Sequence, residues 1–436
     1  MFRFLTRQSV KLVERYLPDP YIFVVLITFI AATAAIGIER QSPVDVLRWW
    51  GNGFWGLMVF TLQMVMVLVT GYMLASAPVI KSLLRRIASL ARSPGGAILL
   101  VTYVSLVASW INWGFGLVVG ALFAKELARQ VRVDYRLLVA SAYSGFLIWH
   151  GGLSGSVPLT IATEGHFLQG AIGIIPTRET LFSSLNLAII AVLAVVIPAL
   201  NRLMLPDEKD SVFIDRARLE EEPEPPAEVN RPAERLENAR LLGWLLGGAG
   251  VAYLFDHFVV QHGTLNLNTV NFAFLFLAIL LHGSARHLLA SLDAAIRGAA
   301  GIVIQFPFYA GITAIMTESG LLASLSEIIT SVASTTSLPF WTFISAGITN
   351  MFIPSGGGQW AVQGPIVVAT AAALDTEVTR VAMAVAWGDA WTNMLQPFWA
   401  LPVLAIAGLR AKDIMGYCLI QLVVSGIVIS VGLTWF

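Results

Sequence analysis

The chain has little cysteine and little charge, and these two shortages exclude several classes of protein. Cys418 is the single cysteine in 436 residues, which excludes an internal disulfide and argues against a thiolate metal cluster. The six histidines show no metal-ligand spacing, so no metal site is predicted. No phosphate loop, dinucleotide fingerprint or Ser-His-Asp order is present, and the formal net charge of zero gives no sign of a nucleic-acid partner. The sequence therefore predicts neither an enzyme nor a resident cofactor.

Hydrophobic residues make up 57% of the chain, whereas only 12% of the residues are charged. Soluble domains carry about 25% charged residues, so this composition indicates a membrane protein. Most of the apolar runs are long enough to cross roughly 30 Å of hydrocarbon at about 1.5 Å per residue. The sequence predicts an all-α polytopic membrane protein, with apolar runs at 20–38, 56–80, 180–200, 241–258, 268–282 and 414–436.

The lysines and arginines separate onto one side of the predicted membrane. They cluster before the first span, at 81–92, at 125–136 and through the segment 206–240. Cytoplasmic loops are enriched in these residues, so the N-terminus and the segment 206–240 are predicted to be cytoplasmic. This segment is rich in glutamate and proline and poor in aromatic residues, which is typical of a solvated linker. It divides the chain into residues 1–205 and 241–436.

The two halves carry similar broken, glycine-rich segments. One half contains I-N-W-G-F-G around Asn112, and the other contains T-N-M-F-I-P-S-G-G-G around Asn350. These asparagines lie 350 − 112 = 238 positions apart, and Trp149 and Trp387 show the same offset (387 − 149 = 238). Unwound backbone at membrane depth is tolerated only where it lines a cavity, and paired interruptions in two halves point to a transport site. The pattern predicts an internal repeat of a secondary transporter.

Basic clusters flank the apolar stretch 95–124 at both ends, which is typical of a segment that enters and leaves on the same side. We expect a re-entrant hairpin whose tip is the first glycine-rich break, where Gly114 and Gly116 let the backbone turn. One additional span precedes 338–374 and reverses its orientation, so the second hairpin is expected to enter from the opposite face, with its tip at Pro354–Gly358. The two halves would then form an inverted repeat.

The segment after each hairpin is predicted to be a spanning helix that is interrupted in its middle. These helices cover 137–163, with the break at Gly151–Ser156, and 381–408, with the break at Trp391–Pro397. Together with the remaining apolar runs, they give about nine transmembrane spans and two re-entrant hairpins.

Four breaks of this kind can bind a small anion. Helix N-termini carry roughly half a positive charge and unpaired N–H groups, which suit a carboxylate. Hydroxyls and amides at the breaks can coordinate a sodium ion or hydrogen-bond the substrate. No lysine or arginine lies in the breaks, which favours a singly charged anion, and the surrounding aromatic residues suit a short apolar tail. The candidate substrate-binding residues are Asn112, Trp113, Gly114, Gly116, Ser154, Ser156, Asn350, Ser355, Gly356, Gly357, Gly358 and Asn393.

A second set of residues is predicted to couple transport to an ion. Asp389 is the only carboxylate within the interrupted helices, and an ionisable residue at membrane depth is a functional candidate. It can bind a proton or a sodium ion, or it can cap a broken helix end. His150 lies in the corresponding region of the first half, where it can relay a proton or serve as a neutral core residue. With Thr392, these residues form the predicted ion-coupling set.

Several long motifs carry a family resemblance. They are L-P-D-P at 17–20, W-G-N-G-F-W at 50–55, I-N-W-G-F-G-L-V-V-G-A at 111–121, Q-F-P-F-Y-A-G-I at 305–312, P-S-G-G-G at 354–358, Q-P-F-W-A-L-P at 396–402 and D-I-M-G-Y-C at 413–418. With these motifs the chain resembles the short-chain fatty acid transporter family, multi-pass proteins of the bacterial inner membrane associated with acetoacetate and butyrate use.

The resemblance implies more than the residues alone indicate. The family is grouped with the ion-transporter superfamily of elevator carriers, homodimers in which the tips of paired hairpins grip a carboxylate and sodium. Those tips correspond in kind to Asn112 and Asn350, and in position to the breaks at Ser154 and Asn393. The Ser-Asn-Thr signature of the dicarboxylate branch is absent from this sequence.

The sequence thus predicts a secondary active transporter of short-chain monocarboxylates, coupled to protons or to sodium ions. Its partners would be the small monocarboxylate and membrane lipid. The resemblance adds a second copy of the chain as a partner, and it implies that the hairpin-bearing domain slides against a dimeric scaffold. One alternative is an uncoupled channel or facilitator for the same acids. The other is a membrane enzyme acting on an acyl group, for which Asp389 and His150 would be an incomplete catalytic set.

Overall fold

The computed structural model describes residues 20–215, 219, 231–321, 324, 328, 331, 333–351, 353–396 and 399–435. All regular structure in these residues is helical, which confirms the prediction of an all-α protein. The N-terminal segment that is predicted to be cytoplasmic lies almost entirely outside the described residues, as do 216–218 and 220–230 of the linker.

Ten α-helices form the first half, within residues 20–215. They are α1 (Pro20–Gly37), α2 (Pro43–Gly53), α3 (Met58–Ala75), α4 (Pro78–Ala88), α5 (Pro94–Ile111), α6 (Trp113–Gln130), α7 (Tyr135–Ser144), α8 (Ser156–Ile161), α9 (Gln169–Ile172) and α10 (Ser184–Leu203). A 3₁₀ helix, Gly145–Gly151, continues α7 toward α8.

Nine α-helices lie in the described part of the second half, and it also contains a pair of helices followed by a broken one. Its helices are α11 (Pro232–Glu237), α12 (Arg240–Phe255), α13 (Leu267–His282), α14 (Ala285–Ser319), α15 (Leu338–Asn350), α16 (Gly356–Ala373), α17 (Val378–Thr392), α18 (Ala400–Ala407) and α19 (Ala411–Trp435). A π-helical turn, Asp256–Val260, extends α12.

Six helical segments in the described part of the chain are long and apolar enough to cross a membrane. Two further apolar helices, Val24–Gly37 and α13, are shorter. The six include α5, the first arm of the first predicted hairpin, because its 18 residues reach about 27 Å at 1.5 Å per residue. Length therefore does not distinguish a re-entrant arm from a span, and the count of nine spans stays a prediction. The six segments are α3, α5, α10, Pro232–Val260, α14 and α19.

The N-caps of the repeated helices correct the predicted offset between the halves. Asn112 caps α6, and its Oδ1 accepts from the amide three residues ahead at 2.9 Å. Ser355 caps α16 in the same way, 355 − 112 = 243 positions later. The N-caps of α7 and α17, Asp134 and Glu377, show the same offset (377 − 134 = 243). The structural counterpart of Asn112 is therefore Ser355.

The offset of 238 matches identical letters, whereas the N-cap positions of these helices lie 243 residues apart. The first arm of the second hairpin ends at Asn350, and residues 351–355 separate it from α16. In the first half a single residue, Asn112, separates the two arms. With the offset of 243, Trp149 corresponds to Thr392 (392 − 149 = 243) and not to Trp387.

The two arms of the first hairpin, α5 and α6, pack in direct backbone contact. A Cβ placed on Gly116 would lie 2.5 Å from the Cα of Ser109, and one on Gly120 would lie 2.9 Å from the Oγ of Ser105. Both distances are shorter than van der Waals contact. Ser109 and Gly116 lie close to Asn112 in the sequence, and Ser105 and Gly120 lie further from it, so the two arms run antiparallel. Neither glycine position has room for a larger residue.

The second hairpin, α15 and α16, is held more openly by side chains. Gln359 donates to the carbonyl of Ala346 at 2.9 Å, and Gln363 donates to the Oγ of Ser345 at 3.0 Å. A cleft with about 940 Å³ of empty space separates the arms further from the tip, between residues such as Thr342 and Ile366. The two hairpins therefore share a topology but differ in how tightly they are closed.

The first part of the linker docks on the base of the first hairpin. We call residues 207–214 the strap. Asp134 is buried; its Oδ1 accepts from the amide of Leu137, and its Oδ2 accepts from the amide of Val212, both at 2.7 Å. The amide of Tyr135 donates to the carbonyl of Val212 at 2.8 Å, and the guanidinium of Arg132 lies 4.3 Å from the ring centroid of Phe213. This part of the linker is thus tied to the junction of α6 and α7.

We expect Asp134→Ala to release the strap and to destabilise the protein by about 2 kcal/mol, because one carboxylate both caps α7 and holds Val212. Trypsin should cleave the variant faster after Lys209, which lies in the strap, and the unfolding midpoint in detergent should fall. Asp413→Ala is the matched control, since Asp413 accepts from the amide of Arg410 at an exposed helix end, and no hydrogen bond joins it to the strap within the described residues. Equal cleavage rates in the two variants would contradict the role of Asp134.

Candidate functional site

The broken elements of both halves converge on one buried space, which we call the central cavity. It is nearly closed, with a volume of about 10 Å³, which is about the room that one water molecule needs. Each hairpin and each broken helix contributes to it, and α3 and α14 close it. Its lining residues are Met64, Trp113, Phe146, Trp149, Ser156, Ile302, Ser355, Gly356 and Trp399.

In the first half, hydrogen bonds fix the hairpin tip against the broken helix. The amide of Trp113 donates to the Oγ of Ser154 at 2.9 Å, and the amide of Leu153 donates to the carbonyl of Trp110 at 2.7 Å. Asn186 of α10 donates to the carbonyl of Gly151 at 2.9 Å and so holds the end of the 3₁₀ helix. These bonds satisfy backbone groups that a break leaves unpaired.

In the second half, Asn350 joins the hairpin to the broken helix. Its Nδ2 lies 2.9 Å from the carbonyl oxygen of Asp389, 2.9 Å from the Oγ1 of Thr392 and 3.3 Å from the Oδ1 of Asn393. Gln396 donates to the same Oδ1 at 2.9 Å. Asn350 thus holds the C-terminal end of α17, where the helix stops before α18.

Four of the twelve predicted substrate-binding residues line the central cavity: Trp113, Ser156, Ser355 and Gly356. The others lie around it in supporting positions. Gly114 packs against Leu68 of α3, and Gly358 packs against Tyr309 of α14. All twelve lie at or next to the breaks, but eight of them pack against other residues or form hydrogen bonds outside the lining. These eight are Asn112, Gly114, Gly116, Ser154, Asn350, Gly357, Gly358 and Asn393.

The predicted ion-coupling residues His150 and Asp389 are in direct contact. Both side chains are fully buried, and His150 Nδ1 lies 3.2 Å from Asp389 Oδ1. The amide of Val157 donates to His150 Nε2 at 3.1 Å, so the proton of a neutral imidazole must be on Nδ1, where it is donated to the carboxylate. Asp389 Oδ2 is also buried and has no hydrogen-bond partner among the described residues.

The tip of the second hairpin offers donors to the central cavity. Ser355 Oγ accepts from the amide of Gly358 at 3.4 Å, whereas the amides of Gly356 and Gly357 have no partner in the described part of the chain. They begin α16, an 18-residue helix whose dipole favours an anion at this end.

Two indole N–H groups add to these donors. Trp113 and Trp149 are almost fully buried and line the central cavity, and within the described residues neither Nε1 has a hydrogen-bond partner. A buried tryptophan usually finds a partner for this group. Sequence reasoning missed this feature because it treated both tryptophans as a lining for an apolar tail.

Four rings pack against one another along one side of the central cavity and form what we call the aromatic wall. The ring of Trp113 lies 6.0 Å from that of Trp149 and 5.0 Å from that of Trp399. The ring of Phe146 lies 5.4 Å from that of Trp149 and 6.2 Å from that of Trp399. The wall combines residues of the first hairpin and both broken helices, so the repeats build it jointly.

Comparison with known proteins assigns the chain to a family. Residues 1–436 match the family model described as short chain fatty acid transporter. The chain belongs to the short-chain fatty acid transporter family. A protein of Escherichia coli K12 that is provisionally named a short-chain fatty acid transporter is 46% identical, with 100% of this chain and 99% of that protein aligned. One of Haemophilus influenzae with the same provisional name is 42% identical over 98% of both chains.

Two solved transporter structures share the fold of this family member. The YdaH transporter of Alcanivorax borkumensis has a TM-score of 0.60 and 15% sequence identity, covering 95% of this chain and 98% of that one. MtrF of Neisseria gonorrhoeae, from a class of antimetabolite efflux pumps, has a TM-score of 0.50 and 13% identity, covering 99% and 96%. At such low identity these likenesses concern the fold alone. Family membership and the apolar helices make this chain a membrane protein.

Proposed function

We propose that this protein is a secondary active carrier of short-chain monocarboxylates such as butyrate or acetoacetate. The observation that carries the proposal is the lining of the central cavity, which places Trp113 and Trp149, whose Nε1 atoms have no partner among the described residues, together with Ser355 and the first residue of α16. No lysine or arginine is among its described lining residues. A carboxylate with one negative charge and a short apolar tail matches this combination.

The buried pair His150–Asp389 supports coupling to a cation. A buried anionic oxygen without a partner is costly, and a proton or a sodium ion at Asp389 Oδ2 would remove that cost. Gly356 connects this pair to the cavity, since a Cβ on Gly356 would lie 2.5 Å from His150 Cε1. Binding of the ion and binding of the acid would therefore affect each other through the tip of the second hairpin.

We further propose that the movement is of the elevator type and that the carrier is a homodimer of the bacterial inner membrane. The hairpins and broken helices are joined by the hydrogen bonds described above, which suits a body that moves as one unit. The helices α3 and α14 pack against each other and close the central cavity from the other side, which suits a scaffold.

The decisive experiment is uptake of labelled butyrate into proteoliposomes under an imposed proton gradient, under a sodium gradient and without either. Accumulation above equilibrium with one ion would support a coupled carrier and identify the ion. Equilibration without accumulation would favour an uncoupled facilitator. If no butyrate moves under any condition, the proposed substrate class is wrong.

We expect Asn350→Ala and Asn112→Ala each to reduce butyrate uptake by about tenfold or more while the protein stays folded and inserted. The reason is geometric, because Asn350 holds the end of α17 and Asn112 caps α6, and small displacements of a binding site are costly for transport. Asn268→Ala is the matched control, since Asn268 is exposed, accepts from Gln63 at 2.9 Å and makes no side-chain hydrogen bond to a break among the described residues. Uptake is measured per amount of monodisperse protein, and wild-type rates in both variants would contradict the assignment.

A further inference from the structure

We infer that Met64 of α3 and Ile302 of α14 set the longest carbon chain that the central cavity accepts. The inference rests on the proposed function, since it assigns the orientation of a monocarboxylate within that site. Both side chains are buried, with exposed fractions of 3% for Met64 and 7% for Ile302, and both line the cavity. Neither belongs to a hairpin or a broken helix.

The aromatic wall is poorly suited to adjust to chain length. Each of its four rings contacts at least one other ring of the wall, so moving one ring disturbs the packing of the next. Its rings also come from three different broken elements, which the hydrogen bonds at the breaks hold in place. This side of the cavity therefore has a fixed position.

Met64 and Ile302 are the aliphatic residues of the lining, and they come from the two helices that close the cavity. Met64 lies against the hairpin tip, because a Cβ on Gly357 would be 3.1 Å from its Sδ. A methionine side chain is unbranched and adapts its shape easily. Because the cavity has a volume of only about 10 Å³, a substrate tail can enter only where these two side chains give way, and their size limits the tail.

The polar groups fix the orientation of the acid. Ser156, Ser355 and the first amides of α16 lie at the breaks, where they would receive the carboxylate. With the carboxylate at the breaks and the aromatic wall along one side, Met64 and Ile302 form the aliphatic surface that remains for the tail. Two substrates that differ by one methylene in an apolar pocket are commonly discriminated about tenfold.

The experiment is competition between labelled butyrate and unlabelled acetate, butyrate, hexanoate and octanoate in proteoliposomes. In Met64→Ala and Ile302→Ala, we expect hexanoate to inhibit the uptake of labelled butyrate about tenfold more strongly, relative to unlabelled butyrate, than in the unmodified protein. Met64→Phe should have the opposite effect and favour acetate. The matched controls are Met73→Ala on α3 and Ile315→Ala on α14, which remove equally buried side chains outside the cavity lining and should leave the ranking unchanged.

Two negative outcomes have different meanings. If the unmodified protein moves butyrate but the ranking of acids is the same in the Met64 and Ile302 variants as in the controls, the inference is wrong and the proposed function stands. If the unmodified protein moves no butyrate, the proposed function fails and the inference fails with it. Should an alanine variant not fold, Met64→Phe tests the same surface with a shift in the opposite direction.

Discussion

Asp389→Asn is expected to abolish the accumulation of butyrate against a gradient while exchange of butyrate across the membrane continues. Asparagine keeps the shape of the side chain and can still accept from His150 and Asn393 through Oδ1, which lie 3.2 and 3.4 Å away in the unmodified protein. It carries no negative charge, so neither a proton nor a sodium ion has a site at the buried Oδ2 position. Without a bound cation, the ion gradient cannot drive the acid.

The measurement pairs two assays on the same proteoliposomes. Counterflow of labelled against unlabelled butyrate reports substrate binding and movement, and gradient-driven uptake reports coupling. We expect Asp389→Asn to lower accumulation at least about tenfold and counterflow by less than about threefold, since the lost interaction is with the ion. Asp413→Asn is the control at an exposed helix end. Wild-type accumulation in the Asp389 variant would show that another group carries the ion.

Gly116→Ala is expected to destabilise the protein by about 3 kcal/mol or more and to remove most folded carrier. The added Cβ would clash with the Oγ of Ser109, and it would also lie 2.5 Å from the Cα and 2.6 Å from the backbone N of Ser109, so a rotation of the serine side chain cannot relieve the clash. The two arms of the first hairpin would have to separate, which costs more than a typical overpacked core site. The separation would also displace Trp113 and the aromatic wall.

The effect is measured as the thermal unfolding midpoint and the monodisperse yield in detergent. Gly248→Ala is the matched control, because a Cβ on this glycine of α12 meets no atom within 4 Å. Alanine favours a helix over glycine by about 1 kcal/mol, so this control should be neutral or slightly stabilising. Equal stability of the two variants would mean that the arms can separate freely.

The sequence predicted the positions of the breaks because local chemistry determines them. Asn112 and Ser355 are residue types that cap helices, and glycines follow both of them. The same reasoning did not show the spacing of the caps, because four additional residues, 351–354, precede the cap Ser355 in the second tip. Asn112 and Asn350 then align in the sequence, although Asn112 caps α6 and Asn350 holds the end of α17.

The candidate site was only partly predictable, and the reason is its long-range packing. Trp113 and Gly356 adjoin breaks that are visible in the sequence, so their place in the lining could be anticipated. Met64 and Ile302 lie in largely apolar stretches of α3 and α14, where no local pattern distinguishes a lining residue from a lipid-facing one. The contact between His150 and Asp389 depends on how the halves pack, and the sequence placed the two residues in corresponding regions without showing that they touch.

The shared walls of the central cavity have a consequence for how such a chain can be divided. The first half supplies Trp113 and Ser156 and the second supplies Ser355 and Gly356, so each half by itself carries an open groove. A chain cut within the linker should therefore be inactive as separate pieces and recover activity when the two pieces assemble in one membrane. The linker then serves to hold the two grooves together in one membrane. The strap, which is the first part of the linker, stays bound to the first half.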